Sequence, residues 1–183
     1  MTNFKIYTLE NAPEESKPAL NGLKEAFGIV PNVAGAMAES PVLLNCLAAL
    51  FKNVHGGSFS ERQIQVLLLT NAVTNAAEWA VGFHSFLALA EGISAADVDA
   101  IREGQLPKDP SDAALSRFAR ALVSTRGRVD EKDAEQFLQA GFDKRHLLEV
   151  IAVVAASTIT NYTVSVTRPP LEAPFDYHTW TRN

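Results

Sequence analysis

Apolar residues recur every three to four positions along most of the chain, the spacing of amphipathic helices, and the strict alternation of a half-buried strand is nearly absent. Leu20, Leu23 and Phe27 mark a first helix, which Ser16 is placed to cap and Gly28 to end. Pro31 opens a short helical piece through Val33, Ala34 and Met37. Ser40-Pro41 reads as an N-cap followed by a proline in the first turn, where a missing N–H costs nothing. The helix behind it carries Leu43, Leu44, Leu47, Leu50, Phe51 and Val54 and stops at Gly56-Gly57.

Ser60-Glu61-Arg62-Gln63 has the spacing of a capping box. The helix it starts is apolar over most of its circumference (Ile64, Val66, Leu67, Leu68, Leu69, Ala72, Val73), which suits the middle of a bundle or a subunit interface. A further helix ends near Gly92, and Ser94 caps the next, which ends at Gly104. Residues 105–110, with two prolines, form the clearest loop, too short for a domain linker. Beyond it, Ser111 is the expected cap of a helix through Leu115, Phe118 and Leu122. Asp130 begins another through Phe137, closed by Gly141, and Asp143 caps a long apolar helix through Leu147, Val150, Val154 and Ile159. Pro169-Pro170 ends the regular structure. The pattern predicts one all-α domain over 1–183, a helical bundle with an extended tail from about residue 168.

Composition narrows the function classes. The 183 residues can bury a real core, and 47% hydrophobic with 20% charged is ordinary for a globular chain. At a net charge of −5, with no dense block of Lys and Arg, nucleic acid is excluded as the expected partner. The opening Met-Thr-Asn-Phe-Lys-Ile-Tyr lacks the apolar core of a secretory signal. The apolar stretches around Ile64–Leu69 and Val150–Ile159 are read as too short or too interrupted to span a bilayer, so no membrane partner is expected and a cytoplasmic location is. A single cysteine, Cys46, rules out an internal disulfide and any multi-cysteine metal site. The four histidines show no H-x-x-x-H or H-E-x-x-H spacing, and neither phosphate-loop nor G-x-S-x-G motifs occur, so no metal and no cofactor is expected.

One run carries more information than the rest: Asn75-Ala76-Ala77-Glu78-Trp79-Ala80-Val81-Gly82-Phe83-His84-Ser85. It resembles the site helix of the alkylhydroperoxidase D-like (AhpD-like) branch of the carboxymuconolactone decarboxylase family. That helix carries C-x-x-C-x-x-x-H, with a carboxylate–aromatic pair between the cysteines. Glu78, Trp79 and His84 stand where the pattern expects them, while Ala77 and Ala80 occupy the cysteine positions. The likeness extends to Gly28-Ile29-Val30-Pro31-Asn32-Val33 with Ser40-Pro41, to Ser60 through Ala77, and to Asn161-Tyr162 followed by Pro170-Leu171-Glu172-Ala173-Pro174. Together these cover most of residues 27–176. The resemblance implies an oligomer-forming all-α bundle (a trimer, a dimer of trimers or a dimer), with the helices around 60–92 pairing between subunits.

The departures from that pattern remove its chemistry. The glutamate that relays protons in thiol-active members stands twelve residues before the first cysteine, and counting back from Ala77 reaches Gln65. Glutamine cannot accept a proton near neutral pH. An Asn-His pair frequent in the peroxidase-related branch is replaced by Val164-Ser165. A two-cysteine peroxidase needs an attacking thiolate and a resolving thiol, and alanine methyls are neither.

His84 is the residue with the most chemical potential left, as an acid or base or as a structurally bonded histidine. On one helix face it lies with Ala77 and Ala80. Glu78 offers a carboxylate in the first turn, where the helix macrodipole favours it. Trp79 is read as a packing residue, and Gln65, amid apolar neighbours, needs a partner for which His84 or Tyr162 are the candidates. A pocket lined by Ala77, Ala80 and Phe83 is expected to be apolar. Cys46 reads as a small core residue, His55 as a helix C-terminal cation and His146 as a surface residue. The expected function is a redox-inactive AhpD-like protein that binds or transforms an apolar or carboxylated small molecule. A first alternative is a decarboxylase-type lyase using His84, with Arg62, Arg117, Arg120 or Arg168 holding substrate carboxylates. The second is the peroxidase the family name implies, against which the residues argue.

Overall fold

The computed structural model describes residues 4–182. Met1 to Asn3, part of the stretch read as lacking a secretory signal, lie outside the described residues, as does Asn183. The described chain is helical throughout: α1 (Lys17–Phe27), α2 (Asn32–Met37), α3 (Pro41–Val54), α4 (Glu61–Thr74), α5 (Glu78–Ala90), α6 (Ala95–Arg102), α7 (Pro110–Ser124), α8 (Glu131–Gln139) and α9 (Lys144–Thr167). Short 3-10 helices at Glu14–Ser16 and Ala173–His178 complete it.

Most starts lie where the capping residues place them. The Ser40, Ser60, Ser94, Asp130 and Asp143 side chains each accept from a first-turn backbone N–H, and Ser60 and Asp143 do so within full capping boxes. Two caps differ from expectation. α7 is capped by Asp109, not Ser111: Asp109 accepts from the Asp112 N–H, and Pro110 occupies the first turn. Ser16 makes no side-chain cap; its hydroxyl is buried and donates to the Ala38 carbonyl at 2.9 Å, tying α1 to α2.

α4 is the centre of the bundle. Ile64 through Ala72 are all buried, by α5 on one side and α7 and α9 on others. A second subunit is therefore not needed to explain its apolar circumference, which one chain covers completely. α9 is the long apolar helix expected behind Asp143. It runs unbroken over 24 residues and by length and composition alone is apolar enough to cross a membrane, which the apolar stretch Val150–Ile159 taken by itself does not suggest. Its Ser157, Thr160, Asn161 and Thr163 are buried, and it packs on α2, α3 and α4, as the core helix of a bundle does. Its opposite face leaves Leu148, Ile151, Tyr162 and Val166 exposed.

The tail is not simply extended. Its 3-10 turn packs on α5, and the close approach requires Gly82. A Cβ there would lie 2.7 Å from Leu171 Cδ2 and 3.2 Å from the His178 carbonyl. Phe175 is buried against Phe83 and Phe86, with ring centroids at 5.2 and 4.9 Å. Arg102 fastens the far end by donating to Ser85 Oγ and to the His178 and Thr179 carbonyls at 2.9, 2.9 and 3.0 Å.

Candidate functional site

The turn between α4 and α5 sets the site. The Ala76 N–H donates to Val73 O and the Ala77 N–H to Ala72 O, at 3.0 and 2.9 Å, with Ala76 left-handed at φ 52°. This is the Schellman closure of a helix, with alanine where glycine is usual. Ala77 ends that closure and also begins α5, since its carbonyl accepts from the Val81 N–H at 2.9 Å. With no side-chain oxygen it cannot cap the helix, and it makes no side-chain cap bond.

α5 then presents its aromatic residues to an open-sided cavity of about 480 Å³ lined by residues of α1, α2, α3, α4, α5 and α9. Trp79 stacks on Phe83 at 4.8 Å and an interplanar angle of 17°, and Phe27 meets Phe83 edge-on at 5.3 Å. The Trp79 indole N–H donates to Glu172 Oε2 at 3.0 Å, while Glu172 Oε1 accepts from the Asn32 backbone N–H. Burial raises the Glu172 carboxyl above its ordinary value against these donors. Glu172 thereby joins the tail to α2 and α5 behind the aromatic wall.

The polar part of the wall is His84, with Gln65 and Thr160. His84 Nδ1 lies 3.1 Å from Gln65 Oε1. Burial lowers the imidazole to about 3, with the nearby His55 contributing, so the ring is neutral. With the amide oxygen facing it, Nδ1 carries the proton and Nε2 the lone pair. Thr160, 5% exposed, has a hydroxyl without a hydrogen-bond partner. At the mouth stand Lys52, exposed, and His55, which stacks on Phe51 at 5.9 Å and bonds Glu61 Oε2 at 2.7 Å.

Several expected site residues fall elsewhere. Ala77 and Ala80 are fully buried but do not line the cavity; the wall on their helix consists of Trp79, Phe83, His84 and Leu87. Glu78 is exposed at the start of α5 and is not part of it. Tyr162 is 62% exposed on the outer face of α9, so of the two candidate partners for Gln65 only His84 is in reach. Cys46 is exposed rather than a core residue. Of the four arginines weighed as carboxylate holders, Arg62 pairs with Asp112 at 2.7 Å, Arg117 donates to Gln136, Arg120 donates to the Gly104 and Gln105 carbonyls, and Arg168 terminates α9. None of them lines the cavity. Sequence reading missed Thr160, Lys52 and the role of Glu172. Only long-range packing brings these near α5, and no local spacing signals it.

No family model matches the chain, and no curated protein matches it. Solved structures do. The debrominase Bmp8, in a cysteine-to-alanine variant complexed with 2,3,4-tribromopyrrole, superposes with TM-score 0.79 at 18% identity, over 94% of this chain and 93% of that one. A peroxidase-related protein from Ralstonia eutropha JMP134, described as an AhpD core, gives TM-score 0.83 at 16% identity over the same shares, 94% and 93%. One from Silicibacter sp. TM1040 gives 0.75 at 20% identity over 95% of each chain. The fold is AhpD-like. At these identities the likeness concerns the fold, and the site residues of this AhpD-like chain are read from its own geometry.

Proposed function

We propose that this chain is a redox-inactive member of the AhpD-like family that binds an apolar small molecule in the cavity beside His84. The observation that carries the reading is the apolar cavity of about 480 Å³, walled by Phe27, Trp79, Phe83 and aliphatic side chains with a few buried polar groups, the form of a small-molecule site. The alanines at 77 and 80 leave no thiol on α5, and the lone cysteine lies exposed on α3. Among the proteins of similar fold, the Bmp8 variant with a cysteine replaced by alanine is found in complex with a small halogenated aromatic ring, 2,3,4-tribromopyrrole. A decarboxylase-type reaction is less well supported. A neutral imidazole with a value of about 3 is a weak base, and no arginine lines the chamber to hold a dicarboxylate. The same proposal includes a cytoplasmic, self-associating protein, with its contacts outside the buried α4.

The test is peroxide consumption by the purified chain with a dithiol reductant, beside Cys46→Ser, together with mass spectrometry of the native protein after passage through cell extract. No turnover above the reductant control and a retained small organic molecule are expected. Turnover abolished by Cys46→Ser would overturn the reading by making the lone cysteine a nucleophile.

A further inference from the structure

The tail lines no part of the cavity beside His84, yet it grips two of the segments that do. Both grips meet at Glu172. One carboxylate oxygen accepts from the Trp79 indole N–H at 3.0 Å, and the other accepts from the Asn32 backbone N–H. Trp79 belongs to the α5 wall, and Asn32 opens α2 between Pro31 and Val33, which both line the cavity. A single side chain therefore joins segments 93 and 140 residues away from it in the sequence.

The rest of the tail supports the same walls. Asn32 Nδ2 donates to the Pro170 carbonyl at 3.0 Å, Leu171 occupies the space beside Gly82, and Phe175 meets Phe83 at 5.2 Å. The far end is fixed separately, by Arg102 on the His178 and Thr179 carbonyls and by the Trp180 indole N–H on the Arg102 carbonyl at 3.1 Å.

The position calls for a carboxylate. Two N–H donors converge on it, one to each oxygen, and an ionised carboxylate only accepts. Glutamine would offer one accepting oxygen and turn its NH2 toward the second donor. Trp79 is only 4% exposed, so an indole N–H deprived of Glu172 has little water to turn to. It regains a partner only by moving the ring, which disturbs the stack with Phe83 at 4.8 Å.

We propose that Glu172 is a positioning residue of the cavity, holding Trp79 and the start of α2 in the arrangement that receives a flat apolar molecule, so that tail docking and ligand binding reinforce each other. This rests on the reading of the cavity as a small-molecule site and adds a segment outside its lining on which its affinity depends. The reinforcement is reciprocal: the factor that tail docking adds to affinity, a bound ligand adds to docking.

The experiment uses bromobenzene, a neutral flat ring, as the probe, with the full chain and its variants Glu172→Gln and Glu172→Met. Glutamine removes one acceptor; methionine keeps the length of the side chain and removes both. Calorimetric titration is expected to rank affinity as native, Glu172→Gln, Glu172→Met, with the last at least about fivefold weaker than the native chain. The chain has two tryptophans, so two indole N–H signals appear in its proton–nitrogen spectrum. The Trp79 signal, identified by elimination in Trp180→Phe, is expected to shift in Glu172→Met, which a change in stability alone would not produce. In the native chain, saturating bromobenzene is expected to slow chymotryptic cleavage after Phe175 and Tyr177 by at least about fivefold, scored while residues up to 167 stay uncut. That readout needs no variant to fold. Equal affinity in the native chain and Glu172→Met would overturn the proposal and leave the cavity an apolar ligand site. Tail cleavage unchanged at saturation would overturn it as well. Failure of bromobenzene to bind the native chain would overturn both the proposal and the small-molecule reading.

Discussion

The cavity beside His84 and the groove on the outer side of α9 are close in size, about 480 and 470 Å³, and both are lined mainly by apolar side chains. They differ in what their polar atoms do. In the groove Thr158 and Thr167 donate to carbonyls of their own helix at 2.7 Å, and Ser40 caps α3, so these polar groups are engaged and the exposed Tyr162 and Val166 form an open apolar floor. In the cavity the neutral imidazole of His84 is held through Nδ1 by the buried Gln65 amide, and among the described residues nothing donates to its Nε2. Volume and apolarity are therefore shared features; a buried imidazole positioned by a second buried side chain distinguishes the cavity beside His84 from the groove.

The comparison can be broken most forcefully at the aromatic wall. Phe83 meets Phe27, Trp79 and Phe175, so Phe83→Ala is expected to lower unfolding free energy by about 3–5 kcal/mol in denaturant titration. Tyr162→Ala in the groove is expected to cost under about 1 kcal/mol, because that ring is mostly exposed. Similar losses would erase the distinction.

The pH dependence sharpens it next. The folded imidazole of His84 is lowered from 6.5 to about 3, so below pH 6.5 the unfolded chain binds a proton the native chain refuses. Stability is fully present above that value and is lost as pH falls, by a few kcal/mol in total down to about pH 3. The lowered carboxyls Asp97, Asp143 and Glu149 add losses only when pH falls below their ordinary values of 3.8 and 4.5. Glu172, raised by burial, contributes in the opposite sense, stabilising at low pH and losing that contribution as pH rises. His84→Asn should flatten the slope between about pH 6.5 and pH 5 in pH-dependent melting.

A smaller effect is expected at Gly82. The added Cβ of Gly82→Ala would meet Leu171 and the His178 carbonyl, costing about 1–3 kcal/mol and exposing the tail to proteolysis. The smallest is a gain. Ala76 occupies a left-handed position at φ 52°, and Ala76→Gly should raise stability by about 1 kcal/mol in thermal unfolding.

The helices were legible because their signals are local. Caps such as Ser60 and Asp143 and the glycines that end helices act within one turn, and Asp109 displaced Ser111 only because Pro110 moved the start by two residues. The link between Gln65 and His84 was also legible, since both stand at positions of a known pattern. The cavity wall was not. Ala77 and Ala80 shared a helical face with His84 but face protein, and Thr160 reaches the chamber from a helix that follows α5 by some fifty residues. Cys46 read as a core residue because it stands in an apolar helix beside Leu47; Leu44 and Leu47 are buried, but its own side of α3 faces solvent.

The most direct measurement is the nitrogen-15 spectrum of the His84 imidazole, assigned through its loss in His84→Asn, followed from about pH 8 to about pH 5. The site as described requires a neutral ring throughout, protonated at Nδ1 and unprotonated at Nε2. A ring that titrates near the ordinary value of 6.5, or that carries its proton on Nε2, would contradict it.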